Sequence, residues 1–314
     1  MPASPSLSVA VVSIANGGML DRTLCSLELQ EPARPADVLV VFDPESAGGR
    51  SRFDDLARRF ESVRFVAHTG NVPMRRARGV QEARGEIVAL IEDSCVPVPG
   101  WAAAIAAAHA RGEAVVGGPV TPAPGLSATE VAAFLVEFGA YLARRDGWRE
   151  DTAGADGSRA VVATTQIPGC NLSYSRALLA RNAPLWADGL YETFANAELA
   201  RSGAPIWFAR DARVLYGARA RYGHALAERF SHGRTYGGLR VRGRRWEGLL
   251  RAAVSPLLVP LFTARTVGTL AAAGTEGLRL ASAVPATIPL FAAWALGEMI
   301  GNVAGPGRSA ERWT

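Results

Sequence analysis

The sequence predicts an α/β protein, a mostly parallel sheet with helices on both faces, followed by apolar C-terminal helices. Three observations carry this. Short apolar runs rich in β-branched residues alternate with helix-length amphipathic patterns over the first 120 residues. Several of those runs end abruptly in polar or acidic residues. Near the C-terminus, two long apolar runs follow an arginine-rich stretch.

The elements follow in order. Leu7 to Ile14 is a continuous apolar run of strand length, and Leu20 to Leu29 has helical spacing. Asp37 to Phe42 reads as strand, Phe53 to Phe60 as helix, and Val63 to Ala67 as strand. Pro73 to Ala83 reads as helix, Ile87 to Ile91 as strand, Gly100 to Ala110 as helix, and Ala114 to Val116 as strand. Alternation of this kind gives a mostly parallel sheet covered on both sides. Ser127 to Arg145 predicts a longer helix through Val131, Phe134, Leu135, Phe138 and Leu142, and Asp146 to Ser158 a polar, Gly-rich loop. Short elements follow in "TTQIPGCNLSYSRALL" and "ADGLYETFANAELARSGAPIWF". In such sheets ligands bind beyond the carboxyl ends of the strands. Chemistry is therefore expected at the tips after Ile14, Phe42 and Ile91.

The composition narrows the class. All 34 basic residues are arginine, and with so much Ala and Gly this reads as a coding bias. The arginines lie beside the apolar tail without aromatics arranged as a stacking platform, so nucleic acid is not an expected partner. Cys25, Cys95 and Cys170 lie far apart with no CxxC pair, which excludes a zinc site or disulfide framework and suits a reducing compartment. The N-terminus has no basic region before its apolar stretch and reads as a first strand rather than a signal peptide.

In the tail, residues 210 to 251 hold eleven arginines against Asp211, Glu228 and Glu247, and no charge occurs from Ala281 to Gly297. A spanning helix needs about 20 apolar residues. Pro256, Pro260, Pro285 and Pro289 interrupt both runs. The runs therefore span, re-enter or lie in the interface, or else form a soluble helical subdomain. Arginines before an apolar run suit the cytoplasmic face of a membrane with anionic lipids.

The strand Ile87 to Ile91 ends in Glu92-Asp93-Ser94. Adjacent carboxylates repel, and burying either unpaired is costly. A divalent cation relieves both problems and could be shared with a diphosphate, and a carboxylate there can also accept ribose hydroxyls. The alternative is an ordinary strand-to-helix turn.

Six motifs in order resemble family 2 glycosyltransferases, the inverting nucleotide-sugar enzymes of GT-A fold. "LSVAVVSIANGGMLDRTLCSLELQ" is similar to the family's opening "LSVVIPTYN…L..TL.SL..Q", and "VVFDPES" to "VVDDGS", placing Asp43 at a nucleotide-contacting position. "GNVPMRRARGVQEARGE" matches "N.G...ARN.G...A.GE", with Arg78 taken as the motif's arginine. "VALIEDSCVPVPGW" matches "I.FLDDD..P..GW", "GCNLSYSRALL" matches "G.N.s.rR..l", and "YETFANAELARSG" matches "ED.dL..rl...G". The likeness covers about the first 240 residues.

The resemblance implies a single displacement in which a base deprotonates an acceptor hydroxyl and a nucleoside diphosphate leaves. It assigns Glu192 to the base, with Asp188 as fallback, and Asp43, Glu92 and Asp93 to the nucleotide sugar. Arg78 either contacts the diphosphate or braces the Asp43 and Asp93 loops. Asn171 is equally a sugar or acceptor contact and a turn residue. Mg²⁺ or Mn²⁺ is expected at Asp93 and Ser94, although Ser94 and Thr193 stand where the family has carboxylates. His232 and Arg234 fall where related membrane enzymes carry an arginine-containing loop over the diphosphate, the other reading being a solvated basic helix lying against anionic lipid. The implied layout is a GT-A domain over 1–215, an arginine-rich juxtamembrane segment over 216–248, membrane-associated helices over 249–305 and a tail over 306–314. The expected partners are a nucleotide-sugar donor, a lipid-linked or polysaccharide acceptor, and anionic membrane lipids on the cytoplasmic side. The second reading is a degenerate transferase serving as a membrane-bound binding module.

Overall fold

A computed structural model describes residues 5–14, 19–45, 49–142, 167–204, 206–217, 221–241 and 245–309. Ala15 and Asn16 of the first turn, the end of the helix read to Arg145, and the loop Asp146 to Ser158 lie outside the described residues.

The chain divides into two compact units, Met1–Thr121 with Trp148–Ala218, and Pro122–Gly147 with Arg219–Thr314. The first unit holds a seven-stranded sheet in the order β3-β2-β1-β4-β8-β6-β9. Its strands are β1 (Leu7–Val12), β2 (Asp37–Phe42), β3 (Val63–Ala67), β4 (Ile87–Glu92), β6 (Val115–Gly117), β8 (Asn171–Ser175) and β9 (Ile206–Phe208). β1 is buried at every position, as is β4 up to Ile91, because helices cover both faces, which explains their unbroken apolar runs. β8 alone runs against its neighbours, pairing antiparallel with β4 and β6. A smaller sheet joins β5 (Cys95–Pro97), β10 (Val214–Tyr216) and β7 (Val120–Pro122).

The covering helices are α1 (Leu20–Glu28), α2 (Gly49–Arg59), α3 (Val72–Glu82), α4 (Trp101–Ala110), α6 (Arg176–Arg181) and α7 (Glu192–Arg201). Asn71 caps α3, its side-chain oxygen accepting from the Met74 amide at 3.0 Å. Gly79 lets α3 lie close on β1, since a Cβ there would come within 2.8 Å of the Ala10 Cβ.

The second unit is helical. α5 (Ala128–Leu142) packs there with α8 (Tyr222–Arg240), α10 (Leu258–Ala272) and α12 (Val284–Ala304), joined by α9 (Arg245–Val254) and α11 (Gly274–Leu280). A 3₁₀ turn at Ser255–Leu257 carries Pro256, and Pro285 falls in the first turn of α12, so these prolines mark helix breaks. Two helical stretches, Trp246–Ala272 and Gly274–Ala304, are long and apolar enough to cross a membrane.

Candidate functional site

Three neighbouring parallel strands end at one edge of the large sheet. β1 leads to Ser13, β2 to Asp43, and β4 to Glu92-Asp93-Ser94. β8 begins at that edge, its Asn171 opposite Ile91. The segment after the acidic tip is pinned by α1. Thr23 donates to the Cys95 carbonyl at 2.8 Å, and Ser26 donates to that of Pro97. Gln30 donates to the Val98 carbonyl at 3.1 Å and accepts from the Ala102 amide at 3.0 Å. These are the Thr, Ser and Gln of the "TLCSLELQ" motif.

At the centre lies Arg76, its side chain 4% exposed. One guanidinium nitrogen donates to Glu92 at 2.7 Å, and another donates to Glu192, the first residue of α7. Burial opposes the charge of Arg76, but Glu192 and then Glu92 outweigh it and raise the pKa. Gly169 closes over this group, where an added Cβ would lie 2.7 Å from both an Arg76 nitrogen and the Glu192 carboxyl carbon. Glu192 also meets the positive end of the α7 dipole.

Arg76 corrects the assignment of the motif's arginine to Arg78. On a 3.6-residue period, Val72, Arg76, Gly79, Val80 and Ala83 form one inward stripe, and all five are buried. Arg78 points away from that stripe, is 40% exposed, and pairs with Glu82 one turn on at 2.6 Å. Sequence reasoning also missed Arg75, 1% exposed, whose Nε and one terminal nitrogen have no hydrogen-bond partner among the described residues. Burial lowers its pKa, while Asp43, Asp93 and Glu92 act to raise it. A buried guanidinium with open donors calls for an acceptor. The paired arginines in "PMRRARG", on a helix whose inward stripe includes the second of them, were the available signal.

Asp93 is fully buried. It accepts from Ser13 Oγ at 2.7 Å and from the Ile14 amide at 3.1 Å, tying the β4 tip to that of β1. Burial pushes its pKa up to about 7 against the pull of those two hydrogen bonds. Ser94 is 1% exposed, with its hydroxyl toward the Cys95 sulfur. Neither residue offers an open face among the described residues. Among the described residues, no group of three or more His, Cys, Asp or Glu could hold a metal ion.

Asp43 is partly exposed and accepts from the Glu45 amide at 2.9 Å, an Asx turn beyond β2. Asn171 is taken out of the donor-binding residues, because its side chain is spent on the protein. Its oxygen accepts from Trp101 Nε1 at 2.9 Å, and its nitrogen donates to the carbonyls of Pro119 and Ala212 at 3.1 and 2.7 Å. Asp188 is exposed. Arg234 lies in the second unit, donating to the Gly305 carbonyl at 3.3 Å, and His232 is buried on the same helix. That segment is the continuous helix α8 rather than a loop.

No protein-family model and no curated protein matches the chain. A solved mannosyltransferase from Pyrobaculum calidifontis, in complex with GDP-Man and Mn²⁺, is similar over 96% of this chain and 88% of its own. The TM-score is 0.55 at 16% sequence identity. The chain has a glycosyltransferase fold. In that fold Ser13, Asp43, Glu92, Asp93 and Asn171 occupy the carboxyl edge of the sheet, where the strand order reverses about β1 and β4.

Proposed function

We propose that the first unit is an inverting glycosyltransferase of the family 2 type, using a nucleoside diphosphate sugar and a lipid-linked or polysaccharide acceptor. The observation that carries this reading is the buried Arg76, which joins Glu192 to the β4 tip at the sheet's carboxyl edge. Glu192 takes the proton from the acceptor hydroxyl as that oxygen bonds to the anomeric carbon. The bond from that carbon to the diphosphate oxygen breaks, the electron pair leaves with the nucleoside diphosphate, and the anomeric configuration inverts. Arg76 fixes the Glu192 carboxylate in place, Asp43 accepts from the nucleotide, and the open donors of Arg75 meet the charge developing on the diphosphate. Two helical stretches of membrane-crossing length support membrane attachment, and the arginines of residues 210–251 suit a cytoplasmic, anionic face.

One observation favours the second reading, a degenerate transferase that binds without turnover. Glu92, Asp93 and Glu192 are all engaged by protein groups. The test is a thermal-shift panel on the detergent-purified chain with UDP, GDP, dTDP and their sugars, with and without Mg²⁺ or Mn²⁺. Product anomers are then identified by NMR. A ligand at 100 times its dissociation constant stabilises by about 2.7 kcal/mol. Stabilisation by one donor, with inverted product, supports the proposal, whereas binding without transfer across an acceptor panel supports the second reading. Stabilisation that depends on metal would support a cation shared with the diphosphate at the Glu92-Asp93-Ser94 tip and reduce the role given to Arg75.

A further inference from the structure

Helices α8 and α12 run side by side in the same direction. The Tyr222 hydroxyl, at the start of α8, donates to the Ala286 carbonyl near the start of α12. Gly297 abuts the Phe230 carbonyl, Gly301 that of Arg234, and Gly238 the Gly305–Pro306 link. Partners therefore advance together from one end to the other. From the α8 side, Gly233 meets the Trp294 carbonyl and Gly237 that of Glu298. Any Cβ at these glycines would overlap backbone. Two glycine pairs at four-residue spacing, 233 with 237 and 297 with 301, thus bring the two backbones into contact. Arg240 pairs with Glu298, 5% exposed, which also accepts from Trp294 Nε1 at 3.0 Å.

This pairing limits how α12 can meet a membrane. α12 lies in a stretch of spanning length, but α8 does not qualify as one. The 19 residues of α8 include His224, Glu228, Arg229, His232, Arg234 and Arg240. Being parallel and co-extensive, α8 would be carried through the bilayer with a spanning α12, taking these groups to hydrocarbon depth. Ionised groups there are strongly disfavoured. The exposed apolar side chains suggest another disposition. Trp246, Leu249, Leu250, Val254 and Leu257 stand at i, i+3, i+4, i+8 and i+11, all at least half exposed. Glu247 and Arg251 pair with each other along one edge of that stripe at 2.7 Å. An exposed apolar stripe carrying a Trp and flanked by charge is the pattern of a helix lying in the plane of a lipid surface.

Resting on the membrane attachment proposed above, we infer that the C-terminal unit enters a single leaflet. The apolar stripe of α9 faces the acyl chains, and neither apolar stretch crosses. The occupant of the stripe is a lipid monolayer, and the turn at Ala273–Gly274 stays on the face that carries the first unit.

The test uses the full chain in sealed inverted and right-side-out vesicles with an impermeant maleimide, read by peptide mass spectrometry. Native Cys25, exposed in the first unit, reports that unit's side. The expected result is that Thr275→Cys is labelled from the same face as Cys25. Labelling from the opposite face, or protection from both, overturns the single-leaflet inference while leaving membrane attachment intact. Flotation with anionic vesicles supplies the second arm. Trp246→Glu, a surface change, should weaken association at least tenfold, and unchanged flotation overturns the role of the stripe. A wild-type chain that does not float defeats the attachment reading itself, and this inference with it.

Discussion

Arg76→Met removes the cation that the site is built around. The side chain is 4% exposed, and its partners Glu92 and Glu192 are 13% and 17% exposed. At the 2.7 Å separation from Glu92 and an effective dielectric of about 20, the Coulomb attraction is about 6 kcal/mol. Most of that is offset by the desolvation of three charged groups. Removing one member of a buried pair nevertheless costs about 3–5 kcal/mol, because the remaining charges stay buried without a partner. Stability of a domain is only about 5–15 kcal/mol, so the change should be plain in hydrogen–deuterium exchange of the β4 and α3 amides. Exchange localises the effect to the first unit and leaves the C-terminal helices as an internal control. Combining the change with Glu192→Gln should cost less than the two single changes summed, since the double variant leaves only one uncompensated carboxylate. A coupling of about 0.5–3 kcal/mol is the range for residues in direct contact. Arg76→Met exchange within 1 kcal/mol of wild type, or strict additivity in the cycle, would show that the two carboxylates are solvated independently of Arg76. The account of the site would then fail.

Glu192→Gln keeps an oxygen to accept from Arg76 and should leave exchange protection nearly unchanged, while transfer falls by about 10²- to 10⁴-fold in kcat. Retained turnover would remove Glu192 as the base. Arg75→Met should raise the dissociation constant of the donor and of the free nucleoside diphosphate together, with little effect on the bare nucleoside, measured by calorimetry. Equal loss for the nucleoside would instead mean a collapsed pocket. The pH dependence of stability offers a paired test. Asp93 moves up from 3.8 to about 7, so its contribution is full below pH 3.8 and is lost as pH rises through 7. His109, half-buried beside Ser173, moves down from 6.5 to about 4, so its contribution is full above pH 6.5 and is lost as pH falls through 4. Between these limits the folded state holds a proton on Asp93 where the unfolded state holds one on His109, and the two slopes oppose. Asp93→Asn should therefore unmask a loss of about 1.4 kcal/mol per pH unit, relative to wild type, as pH drops from 6.5 to 4. A difference from wild type that stays flat across that window refutes the assignment.

The strands flanked by helices were legible because burial on both faces leaves an unbroken apolar run, as in β1 and β4. β8 was not, since Asn171 and Ser173 break its pattern although both are buried. Their polar atoms are satisfied by Trp101, Pro119, Ala212 and His109, partners 41 to 70 residues away that no local window contains. The motif residues Thr23, Ser26 and Gln30 were recognisable as a pattern, and the structure gives their physical reason in three contacts to the segment following the acidic tip. The misplaced arginine was an error of register that helix geometry corrects. Matching a motif by composition alone cannot choose among Arg75, Arg76 and Arg78, but the 3.6-residue period sets Arg78 outward, and the pairing with Glu92 and Glu192 singles out Arg76. A charged residue inside an apolar stripe must find opposite charge at a neighbouring buried tip, because nothing else offsets its desolvation. β4 supplies one such carboxylate in Glu92, and the start of α7 the other in Glu192. The guanidinium that looked out of place on its helix is thus the group that fixes where two remote acidic motifs meet.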